Sequence, residues 1–300
     1  MAFLPMALLR WGSLLRDDYN DIVSLHAQIG LQGDLHPYQW AQLMAMVWEF
    51  RPDLILELGR GGGNSTCAFN LAIKHLETPC RILSLCRSNR WRRVSLPRVI
   101  GLMGKGWCDP IDARETDILT VDYVKEIKGH QRILLFWDAH GFDVAECVLG
   151  GILPLISAKP HLVIMHDLSD ERYLAPETRS YQGRGLWRGN TDDGRRVRLG
   201  AIDSAVEQAV AITDFASRNR IQLHSATAEL HEAFDHDAAR QTELAGTLGA
   251  DLFSLEAHWF WFSLNEGREP FTFPAFQPPV KRPSLLSRIK RWVGRRGCTF

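Results

Sequence analysis

Apolar residues in the first fifty positions recur at helical spacing, with Leu8, Leu9, Trp11, Leu14 and Leu15 in one stretch and Trp40, Leu43, Met44, Val47 and Trp48 in the next. Pro52 ends this helical segment, residues 1–51. The period then changes. Short continuous apolar runs read LILEL from Leu54, RILSL from Arg81, ILLFW from Ile133 and HLVIM from His161, each the length of an ordinary strand. Helical spacing at 65–76 and 144–156 lies between successive runs. Strands too apolar to keep a wet face, alternating with helices, predict an α/β fold with a doubly wound, mostly parallel sheet over residues 52–265. A further helix is expected at 201–217 and further strands at 220–226 and 252–264.

Two stretches break this pattern. Residues 170–200 are polar and rich in Gly and Arg, too long for an ordinary connection, and are expected as a lid-like insertion or a disordered segment. Five prolines from Pro270 to Pro283 predict a linker over 266–283. Beyond it Ser284 is placed to cap a helix over 284–300, in which Leu285, Leu286, Ile289, Trp292 and Val293 form one stripe beside Arg288, Lys290, Arg291 and Arg295. Such a basic amphipathic tail suits an anionic membrane surface, at the inner face of a membrane, or docking on an acidic protein surface.

Composition narrows the class. Of 300 residues, 45% are hydrophobic and 23% charged, which excludes a mostly disordered or fibrous chain. No run of about eighteen apolar residues predicts a membrane span, and the start lacks the basic region of a secretion signal. The balance of 35 basic and 35 acidic residues hides an asymmetry, because residues 281–300 hold seven basic residues and no acid, leaving an acidic body. Six cysteines without a CxxC pair read as reduced thiols in a cytoplasmic protein.

The most specific motif joins the first strand to the following helix: Glu57-Leu-Gly59-Arg-Gly61-Gly62-Gly63-Asn64-Ser65-Thr66. Residues without a Cβ at such a junction allow positive φ and let a ligand approach the backbone and the free N–H groups of the helix start. A dinucleotide fingerprint would need a small residue where Asn64 stands. The spacing Glu-x-Gly-x-Gly-x-Gly instead resembles the class I S-adenosylmethionine-dependent methyltransferases, and within them the small-molecule and sugar O-methyltransferases and the cephalosporin-hydroxylase-like proteins. The resemblance implies a Rossmann-like methyltransferase sheet and S-adenosylmethionine as cofactor. It also implies cofactor contacts from Glu57, Gly59, Gly61, Gly63 and Ser65. In that family an acid ending the second strand holds the ribose. This chain has Cys86-Arg87-Ser88 there, a departure that keeps open an NADP-dependent oxidoreductase, since an Arg can accept a 2′-phosphate. By the same resemblance Asp117 accepts a hydrogen bond from the adenine amino group; a helix cap is its other reading.

Two strand ends are loaded with chemistry, Asp138-Ala139-His140 and His166-Asp167. Methyl transfer to a hydroxyl needs that hydroxyl stripped of its proton, by a base or with the help of a divalent cation. His140 and His166 are the candidate catalytic residues. Asp138 and Asp167 are the candidate ligands for Mg2+ or another divalent cation, as the family resemblance and hard oxygen donors suggest. A cap at Asp138 and a core histidine at His166 stay open. No nucleophile elbow and no phosphate-binding loop occurs, Trp259 and Trp261 read as core, and nucleic acid is not an expected partner. The expected function is O-methylation of a small hydroxylated metabolite or sugar. A catalytically silent nucleotide-binding or membrane-associated partner protein on the same fold is the alternative.

Overall fold

The computed structural model describes residues 3–29, 35–166, 168, 203–267 and 269–279. Asp167, the 170–200 stretch and the 284–300 tail therefore lie outside the described residues. The chain opens with three helices, α1 (Phe3–Asp17), α2 (Tyr19–Ile29) and α3 (Pro37–Phe50). There follow β1 (Leu54–Leu58), α4 (Asn64–Ile73), β2 (Arg81–Cys86), α5 (Leu96–Met103), β3 (Ile111–Glu115), α6 (Tyr123–Ile127) and β4 (Ile133–Trp137). Next come α7 (Phe142–Glu146), α8 (Leu153–Ile156), β5 (His161–Met165), α9 (Asp203–Asn219), β6 (His224–Ser225), α10 (Ala226–Phe234), α11 (Ala238–Leu248) and β7 (Phe260–Phe262).

The seven strands form one sheet in the order β3-β2-β1-β4-β5-β7-β6. The first five are parallel, and β7 runs antiparallel between β5 and β6. The sheet is Rossmann-like. Strand order reverses between β1 and β4, and the crevice beyond the carboxyl ends at such a switch point is where open α/β sheets bind ligands.

Side-chain alternation divides the apolar runs between two cores. Ile55, Ile82, Leu134, Phe136, Leu162 and Ile164 face a layer built from the N-terminal helices with α4, α10 and α11. Leu54, Leu56, Leu58, Leu135, Trp137 and Val163 face the opposite layer, which holds α7, α8 and α9. Both faces of β1, β4 and β5 are buried, which is why these runs lack polar alternation.

The edges were less legible. β3 carries Asp112, Arg114 and Glu115 and is only half-buried. It is anchored by ion pairs of Arg114 and of Arg81 on β2 with Asp112 and Glu126, pairs that hold both carboxyls below the usual carboxylate range. The expected strand at 220–226 shortens to two residues because the Ser225 hydroxyl accepts from the Ala228 N–H and starts α10. The expected strand at 252–264 shortens to Phe260–Phe262. Within 266–283, Phe271, Phe273 and Phe276 pack on the second core, and Thr272 exchanges two backbone hydrogen bonds with the Asn219 amide at 2.6 and 2.9 Å. A π-helical segment, Cys147–Ile152, receives Phe276; a Cβ on Gly151 would overlap the Phe276 ring. The five described cysteines are all unpaired. Among the described residues no helix is long and apolar enough to cross a membrane.

His161 opens β5 at 2% exposure. Its Nδ1 lies 2.8 Å from the Lys159 carbonyl, and its Nε2 accepts from the Leu264 N–H at 2.9 Å. Nε2 accepts only while the ring is neutral, and burial lowers the imidazole pKa. The unfolded chain thus binds this proton more readily, so stability present above the ordinary value of about 6.5 is lost as pH falls below it. Thermal melts across pH should show His161→Gln with a flatter acid limb than wild type; parallel limbs would contradict this.

Candidate active site

Strand parity places Glu57 on the same face as Ile55, under α4 rather than in the crevice. There its carboxylate accepts from the hydroxyls of Ser65, Thr66 and Ser84, the Thr66 bond measuring 2.6 Å. Ser65 and Thr66 belong to the first turn of α4, and Ser84 is the register partner of Glu57 on β2. Arg60 is 3% exposed and donates to the Ser84 carbonyl at 2.6 Å and to its hydroxyl at 3.0 Å. Complete burial raises the Glu57 pKa, against the hydroxyls and the Arg60 charge, which lower it. Glu57 and Ser65 thus bind each other beneath the loop.

The glycines above this carboxylate differ in what requires them. Gly59, Gly61 and Gly63 all have positive φ, which favours glycine. A Cβ on Gly59 would overlap the Asp138 carbonyl, and one on Gly63 would overlap the Trp91 ring. A Cβ on Gly61 would meet nothing within 4 Å. Packing explains the first and third; open space lies only over Gly61.

That space is a cleft of about 640 Å³ at the carboxyl ends of β1, β2 and β4. Gly59, Gly61, Cys86, Arg87, Asp117, Asp138 and His140 are among its lining residues. Asp117 is the N-cap of a short turn, with Oδ1 accepting from the Leu119 N–H at 3.1 Å, and it pairs with the Arg87 guanidinium through Oδ2. Among the described residues three carboxylates, Asp117, Asp138 and Asp143, stand in the lining against the one guanidinium of Arg87.

At the floor the sheet ladder runs one step past the strands. Gly59 N–H bonds to Leu85, Asp138 N–H to Leu58 and His166 N–H to Trp137, at 2.9, 2.8 and 3.1 Å, which sets Gly59, Asp138 and His166 side by side. His166 Nδ1 lies 3.2 Å from Asp138 Oδ1, and the His166 ring packs 4.8 Å from that of Trp259. His140 presents Nε2 at 4.0 Å from the same Asp138 oxygen, while its Nδ1 lies 2.8 Å from Gln208 Oε1. One carboxylate therefore stands between two imidazoles. Asp167, paired with Asp138 as an expected metal ligand, is outside the described residues, and these contain no group of three His, Cys, Asp or Glu able to hold a metal ion.

Of the expected site residues, the structure brings Gly59, Gly61, Asp117, Asp138 and His140 to the cleft, with His166 beside Asp138. Glu57, Gly63 and Ser65 lie beneath or behind the loop. Trp91, Ser84 and Gln208 were not anticipated. Ser84 left a signal, a hydroxyl interrupting the apolar run of β2 opposite Glu57; Gln208 sits on a different helix and left none.

No family model matches the chain, and no curated protein matches it. Similar solved structures include the Podospora anserina methyltransferase PaMTH1 bound to SAH, 14% identical, covering 86% of this chain and 87% of that one at a TM-score of 0.46. An O-methyltransferase from Bacillus cereus in complex with SAH is 16% identical over 69% of this chain and 82% of that one, at 0.43. TomG from Streptomyces achromogenes, in complex with SAM, is 14% identical over 68% and 80%, also at 0.43. Likeness at this level carries no inference about chemistry.

The two kinds of glycine predict different outcomes. Gly61→Val should fold and melt only a few degrees below wild type, since left-handed strain costs about 1–2 kcal/mol. Gly59→Ala must push against the Asp138 backbone and should lower the melting temperature much further. Circular dichroism melts check the order, and a Gly61 variant less stable than the Gly59 variant would contradict it.

Proposed function

We propose that this protein is an S-adenosylmethionine-dependent methyltransferase that methylates the oxygen of a small hydroxylated metabolite or sugar. The observation that carries the reading is the charge of the cleft among the described residues: three carboxylates against one guanidinium, over a bare Gly61 backbone at the switch point. A cationic sulfonium suits such a lining, whereas a pyrophosphate would meet like charge. Arg87, the Arg that follows β2 in the cleft lining, is already paired with Asp117, which speaks against NADP.

The lining suits the cofactor in size and chemistry. The volume lies within the usual range for ligand sites of roughly 300–1,000 Å³. Ile118, Leu119, Phe142 and Val144 give an apolar wall for a purine. Asp117 spends one lone pair on Leu119 and one on Arg87, which leaves acceptor capacity for an adenine amino group. The ribose would rest against Cys86 and Arg87 rather than on a carboxylate. When bound, the cofactor supplies an electrophilic methyl group on sulfur.

The chain's own part is to orient the acceptor and take its proton. His166 engages Asp138 and is braced on Trp259, so it fixes the carboxylate. His140 lies on the cleft lining with Nε2 turned toward Asp138 and takes the proton; Asp138 steadies the imidazolium that results.

Incubation with methyl-labelled cofactor and a panel of catechols, phenols and sugars should transfer label to at least one acceptor. In Asp138→Asn that turnover should fall by about 10²–10⁴, with S-adenosylhomocysteine affinity within a few-fold of wild type. Undiminished turnover in the variant would remove Asp138 from the mechanism; no transfer and no cofactor binding by folded wild-type protein would overturn the reading.

A further inference from the structure

From Arg87 to Lys105 the chain holds six basic residues and no acid, and the fold sorts them into two sets. Arg87 pairs with Asp117 and Arg92 with Glu115, the acids beyond and at the end of β3. Arg90, Arg93, Arg98 and Lys105 are exposed and form no ion pair among the described residues; Arg98 donates to the Gln28 carbonyl at 3.1 Å. These four stand along one rigid element. A π-helical turn, Trp91–Ser95, runs directly into α5, and its inner side is fixed by Trp91 against Gly63, with Ser95 and Val99 buried. The outer side carries Arg93, Val94, Pro97, Arg98, Gly101 and Leu102, all exposed and recurring at the three- and four-residue steps of a helix face. Val94 is 37% and Leu102 42% exposed, two of the five exposed large apolar side chains among the described residues.

We propose that this face docks on an anionic lipid bilayer. A helix that faces only water gains nothing from exposed Val94 and Leu102. At the boundary of headgroups and acyl chains the same pattern is favourable: the apolar side chains enter the boundary, and each cation reaches a lipid phosphate with its stem along the apolar surface. Charge complementarity identifies the occupant, because four cations spread over about 20 Å of helix match an array of lipid phosphates. A single-stranded nucleic acid would call for exposed rings on which bases stack, and the aromatic residue of this segment, Trp91, is 4% exposed and turned inward. Cys86 and Arg87, just before the face, line the cleft, so docking holds one lip of the cleft at the headgroups. The docking does not rest on the methyl-transfer reading.

The test is flotation of the full chain with vesicles of phosphatidylcholine and phosphatidylglycerol in equal parts, beside vesicles of phosphatidylcholine alone, at low ionic strength. Wild type should float with the mixed vesicles and stay behind with the neutral ones. Substituting Arg90→Gln, Arg93→Gln and Lys105→Gln together removes three cations that hold no ion pair. Each cation near an anionic surface is worth about fivefold in affinity, so binding should fall on the order of 100-fold. A second variant, Val94→Ser with Leu102→Ser, leaves the charge unchanged; it should bind heparin as wild type does and the mixed vesicles several-fold more weakly. Circular dichroism melts should place both variants within a few degrees of wild type. A folded wild type that binds no vesicles, or binds heparin alone, would overturn the proposal. A glutamine variant that floats as wild type would overturn it too, since adhesion would then lie in the basic residues of 281–300. So would a serine variant with undiminished vesicle binding, because the contact would then be charge without a bilayer.

Discussion

The site depends on one buried carboxylate. Taking Glu57 out of water costs several kcal/mol even after the protein relaxes, and each hydrogen bond to a charged acceptor returns about 1.5–3 kcal/mol. The three hydroxyls and the Arg60 charge counter part of that cost, and burial still leaves the carboxyl pKa raised. The consequence is geometric. β1, β2 and the first turn of α4 must meet at Glu57 with Ser84, Ser65 and Thr66 all in place, and the chain between Leu58 and Asn64 is left to turn in five residues above them. That tight turn brings Gly59 against the Asp138 backbone and leaves Gly61 facing open space.

The same register sets the chemistry. Trp137 pairs with Met165, so the next residues along, Asp138 and His166, emerge as neighbours at the carboxyl end of the sheet. Asp138 is thereby tied by its backbone to the glycine loop and by its side chain to His166, while His140 reaches it from the turn before α7. A bare backbone and a carboxylate between two imidazoles are two results of one strand arrangement, and they converge within one crevice.

Much of this was readable in the sequence, for physical reasons that also explain what was not. The runs at Leu54, Arg81, Ile133 and His161 are buried on both faces, so their apolar character announced them. β3 sits at the edge and is held by ion pairs, and so left no apolar run. Helices α10 and α11 were not expected, because the large apolar residues of 226–248 are only Leu230, Phe234, Leu244 and Leu248. The glycine motif correctly marked the turn, but sequence could not separate glycines required by packing, Gly59 and Gly63, from the one that faces open space. Nor could it show that Glu57 points beneath the loop, which follows from strand parity together with the hydroxyls at Ser65, Thr66 and Ser84. The Asp138 and His140 pair was legible from its position at a strand end; the reach of Gln208 from α9 was not, since no local pattern encodes a contact across 68 residues of chain.

The central claim is that the backbone around Gly61 is the surface on which an adenosyl cofactor rests. Amide hydrogen exchange with and without saturating S-adenosylhomocysteine tests it most directly, because it reports where a ligand lands as well as whether it binds. The account predicts added protection in peptides covering 58–64, 117–119 and 138–142, with the strand interiors unchanged. Exchange at 58–64 that stays the same in the presence of ligand, or protection confined to another face of the molecule, would contradict it.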